Sequence, residues 1–304
     1  MNPLVRILGG GSALLVDATF LFILGISFLF LGIITVLMVW FVWRYRKSRH
    51  PVAEEVKESV WLEVAWTLIP TVLMLAMFEA GFEGFQWMRA VPADAMTVTV
   101  SAQMWKWTFV YGNGRRSPDL VVPSDRPIKL LLHSTDVIHG FYVPAYRIKE
   151  DVVPGRENYL WFQPDTEGTF EIMCSSYCGE RHSYMRANLR VMPGKEFRRW
   201  YGAKTGKRSA LGARGIMEDA GCLVCHSLDG SRAPGPTLKG IWGRRETVAS
   251  DGVEHAVNVD EAYIRRAIRE PSADVVKGFR TIMPVEALTE EELAILVRYL
   301  RALR

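Results

Sequence analysis

The uncharged run over residues 20–42 decides the environment in which this chain folds. At about 1.5 Å of rise per residue, a helix of that length crosses a bilayer whose apolar core is roughly 30 Å thick. A secretory signal is the competing reading, but its apolar stretch is about half as long and follows a basic cluster. Here the basic cluster, Arg44, Arg46, Lys47 and Arg49, comes after the run, so a membrane helix is predicted. A second apolar run, residues 64–78, is short for a span and flanked by Glu63, Glu79 and Glu83. Extended through Val60 and Trp61 on one side and residues 81–87 on the other, it reaches adequate length and gains interfacial tryptophans. Pro70 is tolerable there, because neighbouring helices can satisfy the freed carbonyl. Residues 1–92 therefore read as a transmembrane helical hairpin. The loop between the helices holds the basic cluster and Lys57, against Arg6 alone in the N-terminal tail, which places the loop in the cytoplasm and both chain ends outside.

Beyond the hairpin the pattern changes to short strands. Residues 96–102 alternate, 105–111 are rich in aromatics, and Tyr111-Gly-Asn-Gly-Arg115 is a turn signal. Residues 128–133, 158–163, 169–173 and 186–192 complete the set, punctuated by Pro123, Pro127, Pro144, Pro154 and Pro164. Residues 93–194 are thus expected to form an all-β sandwich or barrel. Residues 195–208, with Lys195, Arg198, Arg199, Lys204, Lys207 and Arg208, read as a basic linker. Residues 209–304 then turn helical. Asp260 caps a helix stopped by Pro271, and Thr289 with Glu292 makes a capping box whose hydrophobic staple is Leu288 with Leu293.

All four cysteines fall in two short motifs. In Cys174-Ser-Ser-Tyr-Cys178-Gly-Glu-Arg-His182-Ser-Tyr-Met185, soft thiolates, an imidazole and a thioether follow a predicted strand, a donor set suited to copper. A single blue copper needs one cysteine; two allow a pair of coppers to share both sulfurs. A disulfide or a structural zinc would explain the cysteines but not Met185. A further histidine must come from elsewhere. His139, in an apolar segment after a strand, is the best candidate. His133 reads as a core histidine within a strand, and His50 and His255 as surface residues in loops.

Cys222-Leu-Val-Cys225-His226 has the spacing of covalent haem c attachment, expected by chance only about 0.001 times in a chain of this composition. The cysteines would form thioethers and His226 would be the proximal iron ligand. Met283 is the expected opposite ligand, since Met217 lies too close to Cys222 in sequence to reach the other haem face. The formal net charge of +4 is small for 304 residues and excludes a nucleic-acid binder.

Together these features resemble subunit II of haem-copper cytochrome c oxidases. The residues carrying the likeness are the copper loop, Asp136-Val-Ile-His139, Val143-Pro-Ala-Tyr-Arg147-Ile-Lys149, Asp151-Val-Val-Pro-Gly155-Arg156, Trp105-Lys-Trp107 and Trp61-Leu-Glu63-Val-Ala-Trp66-Thr67. Residues 235–240 also resemble the haem-packing loop of class I cytochromes c, and fusion of the two is the caa-type pattern. The resemblance implies a multidomain membrane protein: a two-helix hairpin, an all-β cupredoxin-like CuA domain and an all-α class I cytochrome c domain. Cys174 and Cys178 would bridge two coppers, His139 and His182 would each bind one, Met185 would be a weak axial ligand, and the Ser176 carbonyl would complete the set. Trp105 would admit electrons, and Glu63 would sit near a proton pathway. Many relatives carry a glutamate at the Ser176 position that helps bind interfacial magnesium, so the serine puts a magnesium site in doubt.

The implied function is electron input to a terminal oxidase in the bacterial cytoplasmic membrane, with both metal domains on the periplasmic face. Its partners would be a catalytic subunit I, further membrane subunits, lipid, and a donor that is a cytochrome c or a quinol-oxidising complex. A CuA-type nitric oxide reductase would need nearly the same ligands. A membrane-tethered carrier serving another reductase is the third reading.

Overall fold

The structure, a computed structural model, describes residues 12–52, 58–203, 208–285 and 288–304. Arg6, Lys57, Lys204 and Lys207, used above, lie outside the described residues. Two long helices, α1 (Ser12–Arg44) and α2 (Val60–Arg89), come first, and Pro70 sits inside α2 without ending it. Their apolar side chains, among them Phe28, Val36, Ile69 and Phe78, are exposed, as suits surfaces solvated by lipid or by other membrane helices. The hairpin rests on the β domain through two ion pairs. Arg89 at the end of α2 meets Glu150 at 2.7 Å, and Asp17 in α1 meets Arg147 at 2.9 Å.

The β domain is a sandwich of two five-stranded sheets. One runs β3 (Arg116–Ser117), β2 (Lys106–Tyr111), β1 (Met96–Gln103), β5 (Ile128–Ser134), β8 (Asn158–Phe162). The other runs β4 (Leu120–Pro123), β10 (Arg186–Met192), β9 (Gly168–Cys174), β6 (His139–Val143), β7 (Ile148–Val152). Period-two alternation sends Val98, Val100, Phe109, Leu130, Ile172 and Leu189 into one shared core. The same alternation corrects one expectation. Ile128, Leu130 and Leu132 point inward, so His133 lies on the exposed face of β5 and is not a core residue.

The expected basic linker also differs. Residues Gly194–Gly202 form a helix, α3, with Phe197 buried and Trp200 and Tyr201 packed against the sandwich core. Apolar residues at i, i+3 and i+4 make one sticky face, while Lys195, Arg198 and Arg199 face solvent.

The C-terminal domain packs α4 (Gly212–Asp219) and α6 (Glu261–Arg269) with α7 (Glu290–Ala302) around Ile216, Ile264, Leu296 and Leu300. Both caps form: Asp260 accepts from the Tyr263 amide at 2.8 Å, and Thr289 and Glu292 make the reciprocal capping box. Expected to be all-α, the domain also carries a small sheet of β12 (Val253–Asn258), β11 (Arg245–Ser250) and β13 (Val275–Val276). Asp251 and Gly252 turn the hairpin with φ of 51° and 82°, the left-handed pair that a two-residue hairpin turn requires. His255, expected in a loop, is an exposed residue of β12.

Candidate metal centres

Strand pairing assembles the first site. Cys174 ends β9, and the loop to β10 is closed by the Cys174 amide donating to the Met185 carbonyl at 3.2 Å. His139 opens β6, which pairs antiparallel with β9 and aligns Phe141 with Cys174. A donor 35 residues upstream is thereby delivered to the loop. Gly140 makes the approach possible, because a Cβ there would lie 2.3 Å from Ser175 Oγ and 2.9 Å from the Ser176 amide nitrogen.

The two sulfurs lie 3.7 Å apart and both cysteines are free. His139 Nδ1 is 3.9 Å from Cys174 Sγ, and His182 Nδ1 is 3.5 Å from Cys178 Sγ. Met185 Sδ is 3.8 Å from Cys178 Sγ, and the Ser176 carbonyl is 3.2 Å from Cys174 Sγ. Two ligands at about 2.3 Å and 2.0 Å from one tetrahedral ion would be about 3.5 Å apart, so these spacings fit donors shared around metal ions. Among the described residues, His139, Cys174 and Cys178 place their donor atoms within 4.8 Å of one another. The set of two thiolates, two imidazoles, a thioether and a carbonyl therefore fits a copper pair.

Asp136 supports this arrangement, and sequence reading gave it no role of its own. Its carboxylate takes His139 Nε2 at 2.8 Å, leaving Nδ1 for the site, and accepts from the Met104 and Val137 amides. Burial alone would raise the Asp136 carboxyl, but these hydrogen bonds outweigh it and hold the pKa below the ordinary value. Burial likewise disfavours the His139 imidazolium, yet Asp136 and Cys174 together push its pKa up. The thiols split. Burial opposes ionisation of Cys174, but hydrogen bonds from His139 and the Gly140 and Ser176 backbone bring it down; burial and the neighbouring Cys174 thiolate push Cys178 up. Trp105, 4% exposed, donates from Nε1 to the Cys178 carbonyl at 3.1 Å.

The second site is a cavity with about 1440 Å³ of empty space, including open solvent at its mouth, lined by Cys222, Cys225, His226 and Met283. Cys222–Cys225 form one helical turn, α5, entered through Gly221 at φ 79°. His226 Nδ1 lies 2.7 Å from the Pro236 carbonyl, which leaves Nε2 free as a ligand atom. Burial lowers the His226 pKa and favours the neutral ring a metal needs. Gly235 lets the loop pass close, since a Cβ there would come within 2.8 Å of the imidazole. Apolar walls from Leu238, Ile264 and Leu296 and two thiols on one turn fit a covalently held haem. Gln103, Met104 and Lys106 of the β domain line the same cavity, so the two sites share a boundary. Glu63 is exposed in the first turn of α2 and meets none of the other site residues.

Residues 11–82 match the family described as the transmembrane domain of cytochrome c oxidase subunit II, and residues 115–192 match its periplasmic domain. Residues 210–304 match cytochrome c. Among named relatives, cytochrome c oxidase subunit 2 of Alkalihalophilus pseudofirmus is 28% identical over 301 residues, covering 93% of this chain and 86% of the relative. An alternative cytochrome c oxidase subunit 2 of Bradyrhizobium diazoefficiens is 32% identical, over 57% of this chain and 74% of the relative. A crystal structure of the periplasmic domain of subunit II of cytochrome oxidase from Bradyrhizobium japonicum is 32% identical, with a TM-score of 0.35 over 36% of this chain and 94% of that one. This chain belongs to the cytochrome c oxidase subunit II family, as a member with a membrane hairpin, a periplasmic CuA domain and a fused cytochrome c domain.

Proposed function

We propose that Cys174 and Cys178 would supply thiolates shared by a pair of copper ions, which His139, His182, Met185 and the Ser176 carbonyl would help to hold. Cys222 and Cys225 would hold the haem through their thiols, and His226 and Met283, which line the same cavity, would supply donor atoms to its iron. The observation that carries this reading is the clustering of four further donors, from β6 and the β9–β10 loop, around two sulfurs 3.7 Å apart. When bound, the haem and the copper pair supply one-electron carriers between a donor and the catalytic haem-copper subunit of the complex.

The chain's own contribution is rigidity. His139 is held by Asp136, Cys174 by paired strands and Met185 by the start of β10, so the donors need move little when charge changes. Trp105 adjoins the copper loop and is the proposed point of electron arrival. Glu63, on the membrane hairpin, is the proposed proton-pathway residue, because an ionisable side chain in a membrane helix is costly unless used. The metal domains lie on the periplasmic face of a bacterial membrane and the hairpin loop in the cytoplasm, in keeping with the basic cluster that follows α1. Residues 1–92, 93–194 and 209–304 are proposed as the three domains, with α3 belonging to the second by its packing. The donor is a cytochrome c or a quinol-oxidising complex, and the terminal acceptor is oxygen, reduced to water with protons pumped.

Turnover of the native detergent-purified complex tests this. Fast oxygen uptake with negligible nitric oxide consumption is expected. The reverse would keep the ligands and reassign the acceptor. Glu63→Gln should slow turnover; unaltered turnover would favour a tethered carrier.

A further inference from the structure

The boundary between the two metal domains is built from more than apolar contact. Val224, Cys225 and Ile282 of the cytochrome domain pack against the core of the copper domain. Around that contact two cations of the copper domain reach across. Lys106, at the start of β2, donates from Nζ to the Ala220 carbonyl at 2.8 Å, with the Asp219 carbonyl at 3.5 Å. These carbonyls end α4, where a helix presents unpaired acceptors and the negative end of its dipole. Arg181 donates from Nη1 to the Val224 carbonyl, inside the haem-attachment turn. Gly221 leaves room for the first contact, since a Cβ there would meet Lys106 Cδ at 2.6 Å.

The positions of these partners matter. Arg181 precedes His182 of the copper donor set, and Val224 precedes Cys225 of the haem turn, so one hydrogen bond joins the immediate neighbours of both sites. Lys106 follows Trp105, whose indole is bonded to the Cys178 carbonyl. The Val224 acceptor fixes the haem turn itself, and the Ala220 acceptor fixes the end of α4 that leads into it, in both cases through backbone and not a mobile side chain. Charge-assisted bonds of this kind are among the stronger ones a protein makes.

We infer that Lys106 and Arg181 are positioning residues that latch the fused cytochrome domain onto the face of the copper domain around Trp105. The cytochrome domain is then a resident partner, and an external donor meets the cytochrome domain before the copper loop. This rests on the copper and haem assignments proposed above.

The test uses the intact complex carrying Lys106→Met, Arg181→Gln or both, with Lys106→Arg as the conservative control. Three readouts are taken: the absorption spectra of both centres, amide hydrogen exchange over residues 221–226, and the rate at which reduced haem passes its electron to copper. The double variant is expected to keep both spectra. Its exchange should rise, and its internal transfer fall, by roughly tenfold or more, as loss of a charge-assisted hydrogen bond implies. Lys106→Arg should stay within about twofold of the parent, because it keeps a cationic donor for the charge-assisted bond. Exchange and transfer unchanged in the double variant, with both spectra intact, would overturn the latch and leave the metal sites standing. A parent chain lacking a binuclear copper spectrum would overturn the underlying assignment and the latch with it.

Discussion

The indole of Trp105 and the backbone carbonyl of Cys178 are joined by a 3.1 Å hydrogen bond in the interior of the copper domain. Both residues are buried, so each depends on the other for satisfaction. The contact ties the aromatic at the start of the β2 region to the middle of the metal loop, across 73 residues of sequence. Gly179 packs against the ring, where a Cβ would come within 3.2 Å of it.

Replacing Trp105 by Phe keeps an aromatic ring but removes the indole N–H and strands the Cys178 carbonyl. A buried acceptor without a partner costs about 1–3 kcal/mol. The variant should unfold at lower temperature, retain copper, and accept electrons at copper more slowly than the parent. Differential scanning calorimetry and stopped-flow reduction of the purified complex read the two effects; parent-like behaviour in both would remove Trp105 from the account.

Asp136→Asn keeps the shape of the side chain that orients His139 but not its charge. Loss of such an outer partner typically lowers metal affinity by about 10–100-fold. Copper retention against a competing chelator should fall by that order while the β domain stays folded. Affinity equal to the parent would show that His139 is oriented by packing alone.

Gly140→Ala places a methyl group against the backbone at Ser176, between the His139 strand and the copper loop. The flexible Ser175 and Ser176 hydroxyls can turn away, but the Ser176 amide at 2.9 Å cannot. The loop must shift, separating His139 from Cys174, and copper content per chain should drop while the haem spectrum is untouched. Full copper occupancy would show that the loop yields without cost.

Tyr111 gives the sandwich a pH dependence. Its hydroxyl donates to the Val121 carbonyl at 3.0 Å and accepts from the Val121 amide at 2.7 Å, pinning β4 to β2. Burial pushes the phenol well above its ordinary value, with the Val121 backbone only partly offsetting it. A raised folded-state pKa contributes stability that is fully present below the unfolded value of about 10 and is lost as pH rises from there toward the folded value. Tyr111→Phe should cost about 1–2 kcal/mol at neutral pH and flatten the decline above about pH 10. Thermal midpoints of parent and variant between pH 7 and 11 check this; parallel curves would contradict it.

Much of the site was legible because its chemistry is local. Cys174, Cys178, His182 and Met185 share one loop, and Cys222, Cys225 and His226 share one turn, so spacing alone grouped each set. His139 could be proposed from its segment, but only the pairing of β6 with β9 brings it to the sulfurs. The role of Asp136 is not legible in sequence, since an aspartate three residues before a histidine has many uses. The fold misreadings have equally specific causes. In residues 195–208 the count of basic residues hid the Phe197, Trp200 and Tyr201 face that docks α3. The Asp251-Gly252 pair is a hairpin signal, but the flanking strands lack the clear apolar alternation that would mark them as strands. His133 was misplaced by the phase of a strand whose existence was correctly read. The contacts of Lys106 and Arg181 with carbonyls 43 or more residues away leave no trace in sequence spacing.

The most direct test of the central claim is the copper stoichiometry and electron spin resonance of the intact chain beside its Cys178→Ser variant. Two coppers and one haem iron per chain are expected, with hyperfine structure from one unpaired electron shared by two copper nuclei, and that sharing should vanish in Cys178→Ser. A single copper, or a shared-electron spectrum that survives Cys178→Ser, would contradict a pair bridged by Cys174 and Cys178.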